Sequence, residues 1–156
     1  MTAALSPPRR RDALRYFSLP VVSAAFSVCG LSATAARAQA PGKMPRIVSV
    51  SGATTEIVYA LGAEKQLVGT DTTSLYPAAA LQTPKVGYMR QLSAEGLLSL
   101  KPDAVIGTTE AGPQVVLDQV RNAGVKVELV EADHSWAEVQ RKVAAVGRAT
   151  ARVAQA

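Results

Sequence analysis

From residue 46 onward, short apolar runs alternate with stretches of helical periodicity. Arg46-Ile47-Val48-Ser49-Val50 reads as a buried strand, broken by Ser51-Gly52. Thr54 and Thr55 are expected to cap a helix over Glu56-Ile57-Val58-Tyr59-Ala60-Leu61, with Gly62 just past its end. Leu67-Val68-Gly69-Thr70 reads as a second strand. Asp71 to Pro77 is polar and turn-rich, and Ala78 to Leu81 suits a short helical turn. Val86 to Arg90 reads as a strand end running into a loop. Ser93 then caps a helix that runs to Leu100 and is stopped by Lys101-Pro102-Asp103. Ala104-Val105-Ile106-Gly107 is a third buried run, followed by a loop from Thr108 to Pro113. Gln114 to Asn122 is helical and ends at Ala123-Gly124. In Val125–Val130 the apolar residues Val125, Val127 and Leu129 alternate with Lys126 and Glu128, the signature of a strand near a sheet edge. Beyond Ser135 there is no further strand signal. Trp136, Val139, Val143, Val146 and Gly147 recur at helical spacing, and the run reads as one long helix continuing through Arg152 to Ala156.

Strands alternating with helices predict an α/β fold, a Rossmann-like, mostly parallel sheet with helices on its faces. Ligands of such sheets bind at the carboxyl ends of the strands. The loops to search for function are therefore Ser51–Thr55, Asp71–Tyr76, Tyr88–Leu92 and Thr108–Pro113.

The first forty residues follow a different grammar. Arg9, Arg10, Arg11 and Arg15 precede an apolar stretch from Tyr16 to Leu31, which gives way to small residues ending Ala38-Gln39-Ala40. This is the layout of a signal peptide with an A-x-A cleavage site. Pro20 and Gly30 make the stretch a poor membrane span. Arg10-Arg11 with Leu14 and Phe17 loosely matches a twin-arginine signal, so export by either the Sec or the Tat route is expected, with a periplasmic destination. Cys29 follows Val28 rather than a small residue, which argues against lipidation, and residues 41–156 then hold no thiol for a disulfide or a metal. Residues 1–40 carry five of the 17 basic side chains and one of the 12 acidic ones. The remainder is close to neutral, which removes the charge argument for a nucleic-acid partner.

The most specific chemistry lies in Gly87-Tyr88-Met89-Arg90, a few residues before Glu95. A phenolate is a hard anionic ligand that suits ferric iron, including haem iron, and a neighbouring guanidinium favours the charged phenolate. Arg90 is alternatively a solvated charge or a partner for a ligand carboxylate. Tyr76, before Pro77, is the second tyrosine to consider and suits turn packing better; Tyr59 is expected in the core. His134 is the only histidine, and without partners it reads as an exposed loop residue near a helix start. Glu95 follows the Ser93 cap by two positions, where the helix dipole favours a carboxylate. Ser51, His134 and Asp71 do not form a recognisable triad, since no G-x-S-x-G elbow is present, and neither G-x-G-x-x-G nor a P-loop occurs. A binding protein rather than an enzyme is expected.

Residues 46–150 resemble the amino-terminal lobe of haem-transport substrate-binding proteins of ABC importers, in the wider class that also carries siderophores and cobalamin. The resemblance is carried by R-I-V-S-V-S-G-A-T-T-E-I-V-Y-A-L-G, by L-V-G-T-D-T-T-S-L-Y-P and by K-V-G-Y-M-R-Q-L-S-A-E-G-L-L-S-L-K-P-D, with G-Y-M-R narrowing it to the haem branch. It implies that Tyr88 is the axial metal ligand, that Arg90 supports the tyrosinate or meets the haem, and that Met89, with Leu92, lies on the porphyrin face. It implies that Glu95 docks on arginines of the permease of a permease–ATPase complex. Haem is then the transported ligand, with an outer-membrane haem receptor system upstream. The organisation expected is a signal peptide over 1–40, an amino-terminal lobe over 41–134 and the start of an inter-lobe helix over 135–156, the second lobe being absent from this sequence. The alternatives are a siderophore- or cobalamin-binding protein of the same class and a truncated, non-functional remnant.

Overall fold

A computed structural model describes residues 43–156; the expected signal peptide lies outside the described residues. Four strands form one sheet in the order β2-β1-β3-β4, with every pairing parallel. They are β1 (Ile47–Val50), β2 (Leu67–Thr70), β3 (Ala104–Thr108) and β4 (Lys126–Val130). The helices are α1 (Gly52–Ala60), α2 (Ala94–Ser99), α3 (Gln114–Asn122) and α4 (Trp136–Ala149), and single 3-10 turns cover Glu64–Gln66 and Ala78–Gln82.

The central strands are apolar on both faces because both faces are covered. Val48, Val50 and Val105 point into a core built with Leu97 of α2 and with Leu117 and Val120 of α3. Their neighbours Ile47, Ala104 and Ile106 point the other way, onto Val58 of α1 and Val146 of α4. The period of two along each strand thus divides one apolar run between two cores. β4 lies at the edge as its alternation predicts, with Lys126 exposed and Val127 and Leu129 packed against the first core.

Three expectations are corrected. Thr54 and Thr55 do not cap α1. Ser51 holds the cap position and both threonines are buried one turn inside the helix. Tyr59 is half-buried, and α1 reaches the core through Val58 and Leu61. The last helix does not run to the end of the sequence. It stops at Ala149, and Ala151 turns to φ 56°. The Arg152 N–H then donates to Gly147 O at 2.7 Å, which folds residues 151–156 back on the helix. Of its apolar stripe only Val146 and Gly147 are buried, whereas Trp136 is 75 % exposed.

Candidate functional site

β1 leads to its neighbour β2 on one side, while β3 leads to β4 on the other. The strand order therefore reverses between β1 and β3, and in doubly wound sheets ligands bind in the crevice above that point. Three loops form its rim: Asp71–Pro77 after β2, Gly87–Leu92, and Thr109–Pro113 after β3. They are stitched together by main-chain bonds. The Thr72 N–H donates to Gly87 O at 2.9 Å, the Gly112 N–H to Met89 O at 2.9 Å, and the Leu92 N–H to Gly112 O at 2.9 Å.

The central rim loop is a tight turn. Gly87 takes φ 99°, a region open to glycine at little cost, and the Gln91 N–H donates to Tyr88 O at 2.8 Å. The turn alternates its side chains. Tyr88 is 42 % exposed, Met89 is 8 % exposed, and Arg90 is exposed again. Tyr88 and Arg90 are therefore the exposed side chains on either side of buried Met89. Met89 and Leu92, expected on a ligand face, are turned inward, and Leu92 belongs to the core shared with α2 and α3. What this turn offers a ligand is a phenol and a guanidinium without an apolar platform between them.

Arg90 is not a free charge. Its Nη2 donates to Oε1 of Glu110, with side-chain exposures of 56 % and 38 %. Glu110 lies in the loop after β3 and was not singled out from the sequence. Its signal was its place in one of the four ligand-facing loops, at a position that only the folded register brings opposite Arg90.

Behind the rim, Asp71 is fully buried. Its Oδ2 accepts from the Thr73 N–H at 3.0 Å and the Thr73 hydroxyl at 2.6 Å, and its Oδ1 from the Ser74 hydroxyl at 2.8 Å. Ser74 and Thr55 share a hydrogen bond of 2.7 Å, and the Thr55 hydroxyl lies 2.8 Å from Ser49 Oγ. Lys85 Nζ donates to Thr70 Oγ1, Ser74 O and Ala80 O at 2.8, 3.0 and 3.1 Å, tying the far end of the same loop to β2. Such a set of fully bonded groups fixes the loop, since each would be costly to leave unpaired.

The remaining candidates lie apart from this rim. Glu95 is exposed in the first turn of α2, whose Ser93 cap accepts from the Gly96 N–H at 3.0 Å. His134 is exposed at φ 58° between β4 and α4, and its backbone N–H donates to Glu138. Tyr76 is 68 % exposed and lines a shallow hollow of about 400 Å³ with Ile57, Ala60 and Val139. Ser51 and Asp71 are both buried, and Asp71 spends both oxygens on Thr73 and Ser74, so no triad assembles with His134. Among the described residues, no group of three or more His, Cys, Asp or Glu side chains is placed to hold a metal ion, and no helix is long and apolar enough to cross a membrane.

A family model described as periplasmic binding protein matches residues 47–156. The chain belongs to the periplasmic binding protein family. Among curated members, an uncharacterised ABC transporter substrate-binding lipoprotein, YvrC of Bacillus subtilis, is 34 % identical over 106 residues, covering 67 % of this chain and 33 % of that protein. The vitamin B12-binding protein of Yersinia pestis (strain Pestoides F) is 31 % identical over 121 residues, covering 78 % of this chain and 41 % of that protein. The chain thus spans between a third and about four-tenths of these two relatives. Among solved periplasmic binding proteins, a haem-binding protein from Pseudomonas aeruginosa is 44 % identical with a TM-score of 0.69, over 72 % of this chain and 40 % of that one. The haem-binding RhuT from Roseiflexus sp. RS-1 in its apo form is 40 % identical with a TM-score of 0.69, over 72 % and 43 %. The fold is that of part of a periplasmic binding protein, and the relatives are transport components of the ABC substrate-binding class.

Proposed function

We propose that this protein is an exported substrate-binding component of a haem importer. It captures ferric haem through the Tyr88 phenolate and passes it to a membrane permease and its ATPase. The observation that carries the reading is the exposure of Tyr88 on a rim at the carboxyl ends of the strands, with Arg90 beside it on the same turn. Ferric iron displaces the phenol proton and takes the oxygen as a hard anionic ligand, and a nearby guanidinium favours that charged form. The haem-binding proteins from Pseudomonas aeruginosa and Roseiflexus support the reading by their likeness to this chain. Glu95, exposed at the start of α2, is the residue we assign to permease docking, and residues 1–40 are assigned to export to the periplasm. Residues 41–134 then act as one substrate-binding lobe, with α4 (Trp136–Ala149) as the helix that leaves it.

Addition of hemin is expected to give a tyrosinate-type visible spectrum. Tyr88→Phe and Tyr88→Ala should abolish it while leaving far-UV circular dichroism unchanged, and a spectrum that survives both substitutions rejects the ligation. A second reading, cobalamin as the ligand, is favoured by the likeness to the vitamin B12-binding protein of Yersinia pestis. It predicts that cobalamin competes with hemin for the site and that its binding does not depend on the Tyr88 hydroxyl.

A further inference from the structure

We propose that Glu110 is a positioning residue for anion capture. It holds the Arg90 guanidinium at the rim in the ligand-free protein, and a carboxylate of the incoming ligand takes its place. This rests on the reading of a carboxylate-bearing porphyrin as ligand.

Three observations support it. The two side chains come from different loops, and those loops are locked together beside the pair by the Gly112–Met89 and Leu92–Gly112 main-chain bonds. The register that brings Glu110 to Arg90 is therefore built into the backbone. Both partners are partly open to solvent, so a ligand carboxylate can reach the guanidinium without opening the core. Among the described residues Arg90 makes its ion pair with Glu110 alone, through a single Nη. A guanidinium carries five donors, and a carboxylate that engages it bidentately replaces a one-point contact with a two-point one.

The physical consequence is a modest bias rather than a lock. An exposed ion pair contributes little, so Glu110 should weaken capture by roughly two- to five-fold. In return it holds Arg90 at the rim, on the same turn as Tyr88.

The test is a double-mutant cycle on the full chain, with Kd read by absorbance titration against hemin and against metal-free protoporphyrin IX. The second probe keeps the two propionates and lacks the iron. Glu110→Ala is expected to tighten both ligands by about two- to five-fold, and Glu110→Gln by less. Arg90→Ala should weaken both. In the Arg90→Ala background, Glu110→Ala should change either Kd by less than about 1.5-fold, since coupling between the two side chains vanishes when one is gone. An unchanged or weakened affinity in Glu110→Ala overturns the proposal. So does an equal shift in both backgrounds, which would make Glu110 a distant charge rather than a competitor. Loss of haem ligation as a reading shows differently, as a hemin spectrum indifferent to Tyr88→Phe, and the protoporphyrin arm then still decides the role of Glu110. A parent protein that takes up neither porphyrin removes both.

Discussion

At the residue scale, the rim depends on side chains buried behind it. The hydroxyls of Ser49, Thr55 and Ser74 form a buried chain ending on the Asp71 carboxylate. Thr55 sits at its centre, bonded to the strand on one side and to the loop on the other. Thr55→Val keeps the shape and leaves two buried hydroxyls without this partner. A loss of about 1–3 kcal/mol is expected in urea unfolding, with a larger fractional loss of ligand affinity than of helical signal. None of this chain was legible in the sequence. Only the Ser74–Asp71 link is local, whereas Thr55 meets Ser49 and Ser74 six and 19 positions away, through the packing of α1 on β1 and on the loop after β2. Tyr88 and Arg90 were legible because their relation is local and a turn at Gly87 suffices to present both. Met89 was misread for the same reason. Adjacency cannot say which of three consecutive side chains turns inward.

At the scale of elements, strands and helices were read nearly in full, because periodicity and punctuation coincide. The one long misreading was the last helix, and its end has a physical cause. All four helices finish with the next residue but one in the left-handed region: Gly62, Lys101, Gly124 and Ala151. Two are glycines and announce themselves; Lys101 and Ala151 do not. Around Ala151 the Arg152 N–H reaches back to Gly147 O, and the Ala151 N–H reaches Arg148 O at 3.4 Å, closing the terminal carbonyls as a glycine would. Relieving a left-handed alanine while loosening the unfolded chain predicts that Ala151→Gly stabilises the protein by about 0.5–1 kcal/mol. A lower thermal midpoint in calorimetry would contradict that. The other end of α4 is fixed by charge. Ser135 and Arg141 hold Asp133 down to about 2, and Lys142, with the His134 and Asp133 backbone N–H groups, holds Glu138 below the usual carboxylate range. Folded values below the unfolded ones of about 3.9 and 4.3 mean a contribution that is complete at neutral pH and lost as the pH falls toward 2. The urea midpoint should fall between pH 5 and pH 3, and Asp133→Asn should flatten that fall.

At the scale of the molecule, two cores share one sheet, and their coverage differs. The face under α2 and α3 is closed by Leu97, Leu117 and Val120, all at 0 % exposure. Leu117→Ala should therefore cost about 2–5 kcal/mol, measurable as a shifted urea midpoint. The face under α1 and α4 is closed only along the second half of α4, and Trp136, Val139 and Tyr76 stay open to solvent. The overall architecture followed from the order of strands and helices alone. The opposition of Arg90 and Glu110 did not, because it arises where two loops meet above the strand reversal.

The stitching of those loops by peptide groups has a wider implication. A frame held by N–H and carbonyl groups is indifferent to which side chains it displays. On the proposed reading, exchanging the phenol or the guanidinium would alter the ligand preference while sparing these main-chain bonds.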